Sequence, residues 1–293
     1  MTLIAKCPIC SSTKMKPKWE VNGYTVVRCV KCCLVFVNPQ PDEAILNELY
    51  DGKYFFGGEG AVLGYENYFS DTEDLARRER NRRKHDYILE VIEKFIPIGR
   101  MLEVSAAFGD FLGSAKARGW EVMGIEKSAC GCDEMRRKGL PAFQGDLVAA
   151  GLPSHIFDAV ACDMTIEHLP DPKGFIVEAH RVLRRRGILF INTIDIGSPN
   201  AMLNNLAGKV LGRKPWSEIK PPEHLFFFSK RTLSRLLRAS GFDVSVIPEY
   251  ERKTYAEVDF NNSFLALAAF LLRPILRFVE AGSAMSLVAR KIA

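Results

Sequence analysis

The feature that most constrains this 293-residue chain is a set of four cysteines near its start. Cys7 and Cys10 stand in CPIC, and Cys29 and Cys32 in CVKC, which gives the spacing C-x2-C-x18-C-x2-C. Each pair aims two thiolates from a tight knuckle. Two knuckles complete the closed tetrahedron of a structural zinc site, with no position left for a substrate. Cys33 directly follows Cys32 and is an alternative fourth ligand. YTVVRC between the knuckles and LVFV after them have the β-branched and aromatic content of short strands. So small a unit buries little core, and zinc supplies the missing stability. Disulfides are the competing use of these thiols. MTLIAKCPIC carries no hydrophobic signal region, so a reducing, cytoplasmic location is expected. Cys130, Cys132 and Cys162 lie far along the chain and read as ordinary buried or free thiols.

Charge is concentrated in the same place. Residues 1–41 hold Lys6, Lys14, Lys16, Lys18, Arg28 and Lys31 against Glu20 alone, a local excess equal to the +5 net charge of the whole chain. The excess either keeps a tiny domain soluble or attracts an anionic partner such as nucleic acid.

Beyond the ribbon, VNPQPDE reads as a proline-marked linker and DGKYFFGGEGAVLG as loop. Residues 71–96 read as a helix whose RRERNRRK run is a solvated face. From residue 100 the pattern becomes strand and helix in alternation. RMLEV, WEVMGIE, FDAVACDM and GILFINTI are short apolar runs suited to buried parallel strands. DFLGSAKARG and PKGFIVEAHRVLRR separate them as helices, so the chain predicts βαβ units and a parallel sheet covered on both faces. Three units are expected: a zinc ribbon over 1–41, a linker and helical segment over 42–99, and an α/β domain over 100–293. Two stretches interrupt the alternation. Residues 198–222 are expected to form a lid over substrate. Residues 253–281 read as an apolar helical insertion, broken or kinked at Pro274, that packs in the core, with a membrane-surface or dimer contact as the alternative. No segment reaches the roughly 20 apolar residues of a transmembrane helix.

The first strand of the α/β unit runs into LEVSAAFGDFL. A strand, a tight turn and a helix N-terminus form a site where a cofactor's backbone approaches closely. Glu126 ends the next strand seventeen residues after Gly109, near the offset at which an acidic side chain bonds ribose hydroxyls. Asp146 and Leu147, in GDL, follow the third strand, where an adenine ring would lie.

Taken together, CPIC…CVKC followed by LVFVNPQP, then LEVSAAFGDFL, WEVMGIEKS, FDAVACDMTIEHLPDP, RVLRRRGILFINT and PPEHLFFFSKRTLSRLLRASGFDV, resemble class I S-adenosylmethionine-dependent methyltransferases that carry an N-terminal zinc ribbon. They are more distantly similar to ubiquinone-biosynthesis O-methyltransferases. The resemblance implies a Rossmann-like, doubly wound, seven-stranded sheet ending in an antiparallel strand, for which SAMSLVARK is the candidate. It also implies S-adenosylmethionine as cofactor. Glu103 then takes the place of the acidic residue ending the first strand, Glu126 that of the ribose ligand, Asp146 that of the adenine-side residue, and Asp163 lines the methionine end. Ser105 and Ala107 stand where the family has glycines and only Gly109 remains, so two side chains enter a loop that should nearly touch the cofactor.

Methyl transfer to a hydroxyl needs an aligned nucleophile and a group to take its proton. His168 with Glu167 beside it, in TIEHLPDP, is a candidate base tuned by a carboxylate, and its competing role is to tie the loop down. His224, in PPEHLFFFS after the expected lid, is the second candidate. The leading reading is O-methylation of a small molecule of sugar, lipid-linked or natural-product type. An RNA methyltransferase docked by its basic ribbon, and a non-catalytic methyltransferase-like binding protein, are the alternatives.

Overall fold

The computed structural model describes residues 1–49, 75–212, 214–247 and 283–292. The glycine-bearing loop and the apolar insertion expected at 253–281 lie outside these residues.

The α/β part is built on β4 (Arg100–Val104), β5 (Glu121–Glu126), β6 (Ala142–Gln144), β7 (Phe157–Asp163), β8 (Leu183–Ile194), β10 (Phe242–Ile247) and β11 (Ala284–Lys291), in the order β10-β11-β8-β7-β4-β5-β6. β11 is antiparallel to both of its neighbours, and the other pairs are parallel. This is the expected sheet, with SAMSLVARK as its antiparallel strand.

The strands bury both faces because their side chains alternate between two layers of core. Leu189 and Ile191 of β8 join one apolar cluster with Val160 and Cys162 of β7, while Ile188 and Phe190 join the other with Ala159 and Ala161. The first cluster is closed by α5 (Pro172–Val182) and α7 (Lys230–Ala239). The second is closed by α2 (Leu75–Phe95), α3 (Asp110–Ala117) and α4 (Ala129–Arg137). α5 stops earlier than its sequence suggests. Leu183, Arg184 and Arg185 already belong to β8, whose first residues pair with β7 across a register shift.

The N-terminal unit is a small antiparallel sheet of β1 (Met15–Val21), β2 (Tyr24–Cys29) and β3 (Val35–Val37), followed by α1 (Glu43–Leu49). Its sheet does not end near residue 41. A fourth strand, β9 (Phe226–Phe227), comes from far along the chain, after β8, and pairs with β3 through Val35↔Phe227 and Phe36↔Phe226. Phe36, Phe226 and Phe228 stack with centroids 5.8 and 5.9 Å apart, so ribbon and α/β unit share one core.

The segment 198–222 carries α6 (Pro199–Leu211). Its buried Ala201, Trp216 and Ile219 pack with Val21, Val26 and Val37 of the ribbon. No described residue of this segment lines the main cleft. No helix among the described residues is long and apolar enough to cross a membrane.

Candidate active site

The C-terminal ends of β4, β5, β6 and β7 open into a cleft of about 910 Å³, the size range of small-molecule and cofactor sites. Glu103, Ser105, Ala107, Glu126, Asp146, Leu147 and Asp163 all line it. Gly109, the remaining candidate, lies beneath the loop. Its φ of +73° opens α3, and a Cβ there would stand 2.7 Å from Met135 Cγ and 2.8 Å from Leu140 Cδ1. Ser105 and Ala107 also adopt positive φ, +58° and +47°. The loop therefore keeps the left-handed turns that glycine favours, at a cost of roughly 1–2 kcal/mol per residue. Ser105 is exposed and Ala107 half-buried, so each has room for its Cβ where Gly109 has none. That difference explains which glycine the chain retains.

Glu126 is held by the same loop. Its Oε2 accepts from Ala107 N at 2.9 Å and its Oε1 from Ser128 N at 2.9 Å. Burial still pushes its carboxyl up, against those backbone donors. Glu103 is pushed well above the usual carboxylate range by burial and then by Asp163, Glu126 and Asp110, and its Oε2 is buried with no hydrogen-bond partner among the described residues. Burial acts on Asp163 too, but Lys84, whose Nζ is 2.6 Å away, and the Asn192 amide at 2.6 Å hold it below its ordinary value. These residues fit S-adenosylmethionine. Its ammonium suits the orphaned Glu103 oxygen, and its two positive charges suit an acidic cleft.

Lys84 was not singled out by the sequence. The charge run on α2 is only partly a solvated face: Arg82 and Arg83 pair with Glu79 in the open, while Arg80, Asn81, Lys84 and His85 line the cleft. The i, i+4 spacing of Arg80 with Lys84 and of Asn81 with His85 is the signal that marks this stripe.

Of the proton-transfer candidates, His168 lines the cleft, whereas Glu167 and His224 are buried behind it. The three place ligand-type atoms within 4.8 Å of one another. The His168 ring meets His224 edge-on at 4.7 Å between centroids. His168 Nδ1 lies 2.8 Å from Glu223 O, and His224 Nδ1 lies 2.7 Å from Glu218 O. A carbonyl only accepts, so each Nδ1 carries a proton in these contacts, and Nε2 is the ring nitrogen through which a second proton is exchanged. Burial, then His168 and Lys220, push His224 well below the ordinary histidine range. Glu167 accepts from Thr193 Oγ1 at 2.7 Å through Oε2, while Oε1 is buried without a hydrogen-bond partner among the described residues, and burial raises its carboxyl. Its backbone oxygen accepts from Leu225 and Phe226, the entry to β9, so the ribbon sheet and the two histidines are held together.

In the ribbon, all four expected thiols converge within 4.8 Å of one another, with Cys7–Cys32 at 3.4 Å and Cys10–Cys29 at 3.6 Å. Zinc–sulfur bonds of about 2.3 Å set tetrahedral edges near 3.8 Å, whereas a disulfide would need about 2.05 Å. The cysteines are free, and backbone N–H groups of Ile9 and Cys10 reach Cys7 while those of Lys31 and Cys32 reach Cys29. The set fits zinc. Cys32 rather than Cys33 closes it, since Cys33 turns away at φ +69° outside the cluster.

A seven-stranded sheet in this order, with an acidic cleft over its strand ends and a left-handed turn after the first strand, defines a Rossmann-like methyltransferase. Residues 76–245, more than half of the chain, match the family model described as a methyltransferase domain, and the chain belongs to that family. It is an S-adenosylmethionine-dependent methyltransferase. A ubiquinone biosynthesis O-methyltransferase of Hahella chejuensis is 28% identical over 176 residues, covering 55% of this chain and 73% of that protein. A solved SAM-dependent methyltransferase of Archaeoglobus fulgidus shares the fold, with a TM-score of 0.53 at 19% identity, over 77% of this chain and 100% of that one.

Proposed function

We propose that the protein methylates a hydroxyl of a small molecule, with His168 as the general base. The observation that carries this reading is the orientation of one ring. The Glu223 carbonyl accepts a hydrogen bond from Nδ1 of His168, the one of the three clustered residues that lines the cleft, so Nε2 is the nitrogen through which this ring would take up a proton. His224 packs edge-on against that ring and, kept neutral by burial, adds no competing charge. Glu167, fixed by Thr193, favours the imidazolium that forms when the proton arrives.

Glu103, Glu126 and Asp163 would hold the ammonium, ribose and methionine portions of S-adenosylmethionine, with Asp146 and Leu147 at the adenine. When bound, the cofactor supplies an electrophilic methyl group. Zinc at Cys7, Cys10, Cys29 and Cys32 has a structural part only. The likeness to an O-methyltransferase supports oxygen as the methylated atom.

The test is a calorimetric titration with S-adenosylhomocysteine beside a turnover assay on an acceptor found by screening apolar phenols and alcohols. Wild type binds and turns over. His168→Ala loses turnover by about a hundredfold or more, the usual contribution of a positioned base, and keeps its S-adenosylhomocysteine affinity. Undiminished turnover removes His168 from the role, and absence of binding to the wild type overturns the whole reading.

A further inference from the structure

A second part of the cleft wall belongs to none of the motifs above. Thr2, Ile4, Gln40, Pro41, Glu43 and Leu46 line the same cavity as His168, and all come from the ribbon and the start of α1. Gln40 is the unusual member. Its backbone is pinned on both sides, since Thr2 N donates to Gln40 O at 2.7 Å and Gln40 N donates to Thr2 O at 2.8 Å. The residue is only 4% exposed, and Nε2 has no hydrogen-bond partner among the described residues. A buried amide left unpaired costs free energy. The arrangement is explained if a ligand completes it.

The residues that suit the cofactor rise from the ends of β4 to β7, so this wall is left for the other reactant. Ile4, Pro41 and Leu46 offer an apolar surface, and a side-chain amide matches an oxygen that both donates and accepts. We infer that the ribbon forms the acceptor subsite, in which Gln40 binds a hydroxyl of an otherwise apolar molecule. This rests on the functional reading above and deepens it: the ribbon takes part in selecting the substrate as well as in holding the fold.

The probe pair is 2-naphthol and naphthalene, which differ by one hydroxyl, titrated into the full-length, zinc-loaded protein saturated with S-adenosylhomocysteine. Wild type prefers 2-naphthol by about tenfold, the worth of one buried hydrogen bond. Gln40→Leu and, as a second variant of similar volume, Gln40→Met abolish the preference, leave naphthalene binding intact and keep the S-adenosylhomocysteine affinity. Equal binding of the two probes to wild type overturns the inference. So does a preference that survives both substitutions, and so does an S-adenosylhomocysteine affinity that falls with Gln40, which would assign the residue to the cofactor. Failure of the wild type to bind S-adenosylhomocysteine is a different result, because it removes the functional reading and this inference together.

Discussion

The cofactor cleft concentrates its tension in Glu103. Its carboxyl is raised by burial first, and then by Asp163 and Glu126 on neighbouring strands and Asp110 on α3, with Lys84 on α2 acting the other way. A raised carboxyl favours the folded state fully below its unfolded value, near 4.3, and that contribution is lost as pH rises through the folded value. Glu103→Gln removes the titration. Its melting temperature therefore matches wild type at pH about 4 and exceeds it by a few degrees at pH about 8. The same substitution weakens S-adenosylhomocysteine by about tenfold, since the ammonium loses its counter-charge. Melts at the two pH values together with calorimetry check both halves, and a variant equally stable at both would refute the burial argument. The sequence placed Glu103, Glu126 and Asp163 in the cleft because each stands at or next to the end of a strand whose position follows from alternation. It also read Ser105 and Ala107 as departures, yet left open whether their turns survive. Positive φ is a backbone property, and whether an L-residue tolerates it depends on room that only packing reveals.

At the level of elements, the loop after β4 is shaped by the helix after β5. Gly131 of α4 sits where a Cβ would stand 2.7 Å from Ala107 O and 2.9 Å from Glu126 Cγ, so the helix lies directly on the loop that Glu126 ties down. Gly131→Ala pushes both apart. Overpacking of this kind costs about 1–3 kcal/mol. The expected result is a folded protein with a lowered melting temperature whose S-adenosylhomocysteine affinity falls by about tenfold, measured by calorimetry. Unchanged affinity would mean the loop holds its shape without α4. The strands and helices themselves were legible from periodicity, and the exception is instructive. HRVLRR continues a helical pattern, but β8 claims Leu183 because β7 offers Phe157 as a parallel partner there, and the two arginines follow within the register shift. Propensity is a weak prior beside a paired strand.

At the level of the whole molecule, the ribbon is fused to the catalytic unit by the least legible element of all. β9 is two residues long and pairs with β3 across about two thirds of the chain, and no local pattern announces such a contact. The four ligands were legible because metal geometry imposes a fixed spacing, while the pairing was hidden because it depends on where the rest of the chain folds. Its consequence is a division of labour. The groups that suit the cofactor stand on β4 to β7 and α2, whereas Gln40, Ile4 and Leu46 stand on the ribbon side, and His168 is tied through Glu223 and Glu167 to the segment that becomes β9. In zinc-dependent units, metal-binding free energy is folding free energy. Cys29→Ser therefore loses the bound zinc, counted by elemental analysis, and its amides at Phe226 and Phe227 exchange faster with deuterium. Its affinity for S-adenosylhomocysteine stays within about twofold, while turnover falls by about tenfold or more, because the base and the acceptor wall lose their support and the cofactor residues do not. A ribbon that served only as a separate docking module would behave otherwise: the same substitution would remove zinc and leave both the exchange at β9 and the turnover of a small acceptor where they were.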